Sequence, residues 1–290
     1  MTLPTKYVII TPVRDEEAHL TATIKSVLAQ SIPPAEWVIV DDGSSDGTGA
    51  IIDEAAHMRP WIRAIHRENR GFRQAGGGVV QAFNEGYLNV ATTDWEFIVK
   101  LDGDLSFEPD YFQRCFEYFE SEPKLGVAGG SIYHMMEGRL ALENCPAFHV
   151  RGATKIYRRA CWEAIGGFLQ APGWDTLDEV KAQMLGWATR SFPDIQLIHH
   201  RYTGSADGMW RSWVKNGRAN YISGYHPLFM LARCASRLVQ KPYLVGAAGL
   251  VYGYLTGYLK RMPQVNDPEL IRYLRHQQMG RLLGGSTIWK

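Results

Sequence analysis

The run Val38-Ile-Val-Asp-Asp-Gly-Ser-Ser-Asp-Gly-Thr48 and, sixty residues after Asp42, the run Lys100-Leu-Asp-Gly-Asp104 constrain this chain more than anything else in it. Each is an apolar, strand-like stretch that ends in carboxylates. Open α/β sheets bind ligands outside the carboxyl ends of their strands, so two acidic strand ends predict one site at one sheet edge. Asp102 and Asp104 flank a glycine, which lets both carboxylates turn toward one hard cation such as Mn²⁺ or Mg²⁺. Diphosphate oxygens would complete that coordination, because carboxylates alone repel a diphosphate.

The surrounding pattern agrees. Apolar runs at 7–11, 37–40, 62–66 and 97–101 alternate with helical patterns near 18–30, 48–57 and 77–89. This is the rhythm of βαβ units, and it predicts a Rossmann-like α/β fold: a mostly parallel sheet with helices on both faces. After Pro109 a helix is expected to about residue 120, then a strand at 126–133 and an antiparallel ribbon to Val150. Thr176-Leu-Asp-Glu179 has the form of a capping box ahead of Val180, Met184 and Trp187. A helix is expected to start there, with Thr176 as cap and Glu179 reaching back to it. A further strand is expected to end in Leu197-Ile-His-His-Arg201, with helices beyond.

Composition narrows the class. At 290 residues, 46% hydrophobic and 21% charged, the chain has room for one large α/β domain plus an appendage, and disorder is not indicated. The four cysteines form no C-x-x-C pair, which argues against a zinc knuckle or a disulfide scaffold and for a reducing cytoplasm. No secretory signal is expected, since the first residues run almost directly into a strand. The net charge of +1 hides an asymmetry: residues 1–200 hold 18 Lys+Arg against 27 Asp+Glu, whereas residues 201–290 hold 13 against 3.

Thr11-Pro-Val-Arg-Asp-Glu-Glu17, the Asp41-Asp-Gly-Ser44 block, Asn84-Glu-Gly86, Asp102-Gly-Asp104, Gly166-Gly-Phe168 and an acidic helix start near Asp178 follow one another in that order. Over roughly residues 6–225 the ordered set resembles glycosyltransferase family 2, the inverting GT-A enzymes that use nucleotide-diphosphate sugars. The resemblance implies a GT-A catalytic domain over 1–225 and leaves 226–290 as a basic helical extension. It places Thr11, Pro12, Asp15 and Glu16 around the base and ribose of the donor, although the family usually has Asn where Asp15 stands. Asp41 or Asp42 resembles the nucleobase-binding aspartate; the plainer reading of 41–48 is a strand-to-helix turn with Ser and Asp caps. Asp102 and Asp104 would hold the divalent cation, with His200 as a further ligand by resemblance or, alternatively, as a structural histidine.

Inverting transfer needs a base for the acceptor hydroxyl and stabilisation of the departing nucleoside diphosphate. Asp178 is the first choice for the base, with Asp175 and Glu179 in competition; Glu179 has the capping role open to it. Arg201, together with Arg70 or Arg73, could contact the diphosphate, the arginines of the 70–73 loop being equally readable as solvated charges. Gly76-Gly-Gly78 lacks the spacing of a phosphate loop and reads as a helix entry.

Residues 242–259 carry no charge and are bracketed by Arg233, Arg237 and Lys241 on one side and Lys260 and Arg261 on the other. Gly249, Gly253 and Gly257 permit close helix packing, and four tyrosines suit an interface. Three readings stand open: an interfacial helix, a helix packed on the catalytic domain, or a span. The basic surroundings suit peripheral docking on anionic lipid at the cytoplasmic membrane face, and hence an acceptor glycan carried on a polyprenyl diphosphate, in cell-surface polysaccharide synthesis. Single-sugar transfer is expected, because the Gln-x-x-Arg-Trp motif and multiple spans of processive synthases are missing. The rivals are a polyprenyl-phosphate glycosyl transferase, whose acceptor needs no base, and a non-catalytic nucleotide-sugar-binding protein. Nucleic acid is not expected as a partner, since charge alone supports it.

Overall fold

All seven residues of the first strand, β1 (Tyr7–Val13), are buried, because helices cover both of its faces. A computed structural model describes residues 5–71, 77–136, 138–143, 145–201, 208–239 and 243–289. After β1 come α1 (Leu20–Leu28), β2 (Glu36–Asp41), α2 (Thr48–Met58), β3 (Ile62–His66), α3 (Gly77–Leu88), β4 (Phe97–Leu101), β5 (Leu105–Phe107) and α4 (Tyr111–Ser121). Then follow β6 (Leu125–Met136), β7 (Arg139–Leu142), β8 (Thr154–Arg158), α5 (Arg159–Ile165), α6 (Trp174–Met184) and β9 (Ala188–His199). The last described elements are α7 (Met209–Ile222), α8 (Pro227–Arg237), α9 (Tyr243–Leu259) and α10 (Pro268–Leu282).

The sheet runs β3-β2-β1-β4-β8-β6-β9-β5, with β7 paired to β6. β3, β2, β1 and β4 are mutually parallel, as the βαβ rhythm predicts. Beyond β4 the sheet turns mixed: β8 is antiparallel to β4 and β6, and β9 is parallel to β6. The ribbon expected before Val150 is the β6–β7 hairpin.

Alternation along β1 divides the core. Tyr7, Ile9 and Val13 pack with Ile24, Val27, Ile52 and the α4 aromatics Phe112, Phe116 and Phe119. Val8 and Ile10 pack on the other face with Val80, Phe83, Trp162 and Ile165. A third cluster joins Leu177 and Val180 of α6 to Tyr221, Tyr225, Phe229, Leu250, Leu270 and Leu274, so apolar packing runs across residue 225 into the terminal helices.

One expected helix start is corrected. α6 begins at Trp174, two residues before Thr176, with Gly173 as N-cap in the left-handed region at φ 87°. A Cβ at Gly173 would lie 2.7 Å from Ser223 Oγ, so both conformation and space call for glycine there. The capping box does not form. Glu179 is fully buried and accepts hydrogen bonds from the Val150 amide at 2.7 Å and His149 Nδ1 at 2.8 Å.

Candidate active site

Because β1, β2 and β4 are parallel, their carboxyl ends share one edge, and the acids that follow them converge there. The Asp42 amide donates to the Val13 carbonyl at 2.8 Å, extending the ladder one residue past β2. Asp15 then turns left-handed at φ 53°, a conformation Asp tolerates better than most residues. Its amide donates to Ser44 Oγ at 3.0 Å, and its Oδ1 accepts from the Ser45 amide at 2.8 Å. The Glu16 amide donates to Thr48 Oγ1 at 2.8 Å. The loops after β1 and β2 are thereby stitched into one surface.

The expected donor residues fall on that surface with different degrees of access. Thr11 and Pro12 are buried, and the Thr11 hydroxyl accepts from the Trp37 indole at 2.8 Å, so its side chain serves the core. Asp41 accepts from the Ser44 amide at 2.8 Å and faces His66 Nδ1 at 3.2 Å. Burial alone would push His66 down, but hydrogen bonds to Asp41 and Asp53 raise it above its ordinary value. Asp42 is held by both Arg67 and Arg70. Sequence reading missed His66 and Arg67; both lie at the end of β3, the strand next to the acidic one. Arg73 and Gly76 lie outside the described residues.

Asp104 accepts from His199 Nε2 at 3.1 Å. The His200 amide donates to the Asp104 carbonyl at 2.9 Å, while its ring meets Ser106 Oγ at 2.6 Å and stacks on His19 at 5.8 Å. The ring that meets the Asp104 carboxylate is thus that of His199, while the ring of His200, the expected ligand, turns to Ser106 and His19. Successive side chains at a strand end point to opposite sides, so a shift of one residue exchanges them. Arg201 donates to Glu16 Oε2 at 2.7 Å and the Asp15 carbonyl at 3.2 Å, and its charge helps hold Asp104 low; all of these join one cluster.

Burial and the charge of Asp104 together raise the Asp102 carboxyl against the opposing pull of Lys100. Burial works to raise Asp104, but His199, Arg201 and Lys100 together lower it. Two oxygen-donor carboxylates that burden each other electrostatically are what a hard divalent cation would relieve. Among the described residues no group of three or more His, Cys, Asp or Glu is arranged to hold a metal. The fit is that of a cation carried by two carboxylates and completed by substrate phosphates, as is usual for Mg²⁺.

The three candidate acids of α6 differ in depth. Asp178 and Glu179 are fully sunk, with Lys155 Nζ 2.9 Å from both Asp178 oxygens and 2.8 Å from Glu179 Oε1. Tyr157 also donates to Asp178, whose carboxyl burial pushes up to about 6. Asp175, in the first turn, retains accessible surface. Burial works to raise it, but His149, Lys155, Arg151 and Lys100 together hold it below the usual carboxylate range. Lys100 bonds both Asp102 and the Gly152 carbonyl, and a Cβ on Gly152 would lie 3.3 Å from Asp175 Cβ. Of the three acids, Asp178 and Glu179 are closed off by burial and Asp175 alone keeps exposed surface. Two cavities of about 410 and 350 Å³ lie elsewhere, against residues 264–275 and 169–172, and neither is lined by a carboxylate.

The sequence model of glycosyl transferase family 2 matches residues 8–163, more than half of the chain. The chain belongs to glycosyl transferase family 2. The matched segment of this family member runs from β1 into α5 and contains every strand-end acid described above. It is 36% identical over 110 residues to a glycosyltransferase of Nostoc sp., covering 38% of this chain and 31% of that one. It is 30% identical over 121 residues to the poly-beta-1,6-N-acetyl-D-glucosamine synthase of Staphylococcus epidermidis, covering 40% and 26%. The chain thus spans less than half the length of these curated relatives. In three dimensions it is similar to the mannosyltransferase PcManGT of Pyrobaculum calidifontis, solved with GDP-Man and Mn²⁺, with TM-score 0.62, 15% identity and coverage of 90% and 89%. Residues 1–349 of S. aureus TarS align with TM-score 0.55 and 16% identity, covering 93% and 79%. These likenesses establish the GT-A fold with its C-terminal helices.

Proposed function

We propose that the chain transfers one sugar from a nucleotide-diphosphate sugar, a uridine one, to a hydroxyl of a glycan acceptor, with inversion. The observation that carries this reading is the line Asp102–Lys100–Gly152–Asp175, in which one buried ammonium ties the cation-side carboxylate to the turn beneath the accessible acid of α6.

In the proposed step the acceptor oxygen bonds to the anomeric carbon as the bond from that carbon to the diphosphate oxygen breaks. Asp175, held ionised by the cations around it, takes the hydroxyl proton. The nucleoside diphosphate departs with the bonding electrons. Asp102 and Asp104 would hold Mn²⁺ or Mg²⁺, which when bound offsets the charge on the leaving diphosphate. Arg201, anchored on Glu16, adds donors at the same edge, and Asp41 or Asp42 would meet the nucleobase. His149 and Lys155 support the base from below.

The same reading assigns a lipid-linked acceptor at the cytoplasmic face of a membrane. It is supported by the basic balance of residues 201–290 and by four free cysteines. Nucleotide release across a panel of nucleotide-diphosphate sugars with Mn²⁺ or Mg²⁺, in wild type and in Asp104→Ala, tests the proposal. Metal-dependent release from one donor, lost in the variant, is expected. Tight nucleotide binding with no donor consumed alongside any acceptor would replace it with a binding protein.

A further inference from the structure

α9 meets α7 through a small face: Gly249, Gly253 and Gly257 lie against α7, where a Cβ at Gly249 would sit 2.6 Å from Trp213 Cβ and one at Gly253 would collide with the Val214 carbonyl. Leu250 and Tyr254 are the large side chains it buries. Its outward face is large and apolar, with Leu244, Val251, Tyr252, Leu255, Tyr258 and Leu259 exposed by 70, 36, 54, 52, 44 and 82%. At 100° per residue these six fall on one stripe that contains no charge. A surface helix ordinarily turns its large apolar residues to the core and its polar ones to water. Here six large apolar residues lie outside, and Leu228, Leu231, Leu238 and Val239, in and just after the α8 helix that packs on α9, are exposed as well. So much uncharged apolar surface on one helix face marks a contact.

The rim identifies what covers it. Lys260 and Arg261, which follow Leu259 in the chain, and Arg211, which follows Trp210, are exposed, and residues 201–290 hold 13 basic residues against 3 acidic. Trp210 packs on Tyr252 at 5.9 Å, at the α7 margin of the stripe, where amphipathic rings suit a lipid headgroup level. A second copy of the chain would set this basic rim against itself. Among the described residues no helix is long and apolar enough to cross a membrane.

We propose that the outward face of α8 and α9 seats the protein on an anionic lipid bilayer, with α9 lying flat at the boundary between headgroups and acyl chains. This deepens the lipid-linked acceptor reading and rests on it for its purpose, although not for its test. Docking would hold the carboxylate edge where a lipid-carried sugar hydroxyl is presented.

The test is co-sedimentation with vesicles of phosphatidylcholine alone and of phosphatidylcholine containing phosphatidylglycerol, at low and high salt. Wild type is expected to bind the anionic vesicles, more weakly as salt rises. The double variant Leu244→Glu/Leu255→Glu replaces exposed side chains, so circular dichroism and thermal midpoint should hold while vesicle affinity falls at least about tenfold. Lys260→Gln and Arg261→Gln should each weaken binding about fivefold and reduce its salt dependence. Absence of binding, equal binding to neutral vesicles, or binding indifferent to the glutamates would overturn the proposal. So would a dimer in sedimentation velocity that the glutamates dissolve. Donor hydrolysis measured without vesicles should survive in every variant, which separates failure of docking from failure of the glycosyltransferase reading.

Discussion

Lys155 Nζ lies 2.9 Å from each carboxylate oxygen of Asp178, and both side chains are fully buried. The same ammonium bonds Glu179 and the Asp175 carbonyl, so one cation on β8 fixes the start of α6. Its own pKa is raised, the two acids outweighing the burial that would lower it.

Lys155→Met would leave two buried acids without their cation. Loss of one partner of a buried pair typically costs about 3–5 kcal/mol. Urea unfolding should show a loss of that order, and Lys155→Met/Asp178→Asn should recover part of it. Equal stability of the single variant and wild type would show that the network is solvated.

The pH dependence carries a definite sign. Asp178 is raised from 3.8 to about 6, so between those values the folded chain binds a proton that the unfolded chain has released. The associated stability is fully present below the unfolded value and is lost as pH rises through about 6. Asp178→Asn should flatten the stability profile between pH 4 and 6, by on the order of 1–3 kcal/mol. Superimposable profiles of variant and wild type would refute the shift.

Asp175→Asn should lower kcat for transfer to a hydroxyl by about 10²–10⁴-fold and leave nucleotide affinity, measured by calorimetry, nearly unchanged. Asp178→Asn, tested in parallel, should retain more activity. The reverse ranking would restore Asp178 as the base. Full activity in Asp175→Asn would point to a phosphate acceptor.

His199→Ala removes the imidazole that braces Asp104, whereas His200→Ala removes one that braces Ser106. Metal-dependent nucleotide binding should fall about tenfold in the first and change little in the second. Equal losses would mean that both rings serve the same group.

Gly253→Ala would drive a methyl group into the α7 backbone, 2.9 Å from the Arg218 amide, and should lower stability by about 1–3 kcal/mol. Ala248→Leu, on the exposed side of the same helix, is the control and should leave the thermal midpoint in place.

Much of this protein is written in consecutive residues. The β1–β4 strands and α1–α3 follow from short-range apolar periodicity, and the acids at Asp41, Asp42, Asp102 and Asp104 share an edge because parallel strands all end on the same side. Strand and helix periods depend only on neighbours along the chain, so they survive without tertiary information. The roles within α6 do not. Asp175, Asp178 and Glu179 are spaced i, i+3, i+4 and lie on one helix face, so helical phase cannot separate them. Depth separates them, and depth is set by Gly173 against Ser223 and by Lys155 from a strand twenty residues away. Likewise α9 reads as apolar all round; only the docking of its glycines on α7 decides that Leu250 is buried while Leu244, Leu255 and Leu259 stay in the open, because a face is defined by what packs against it.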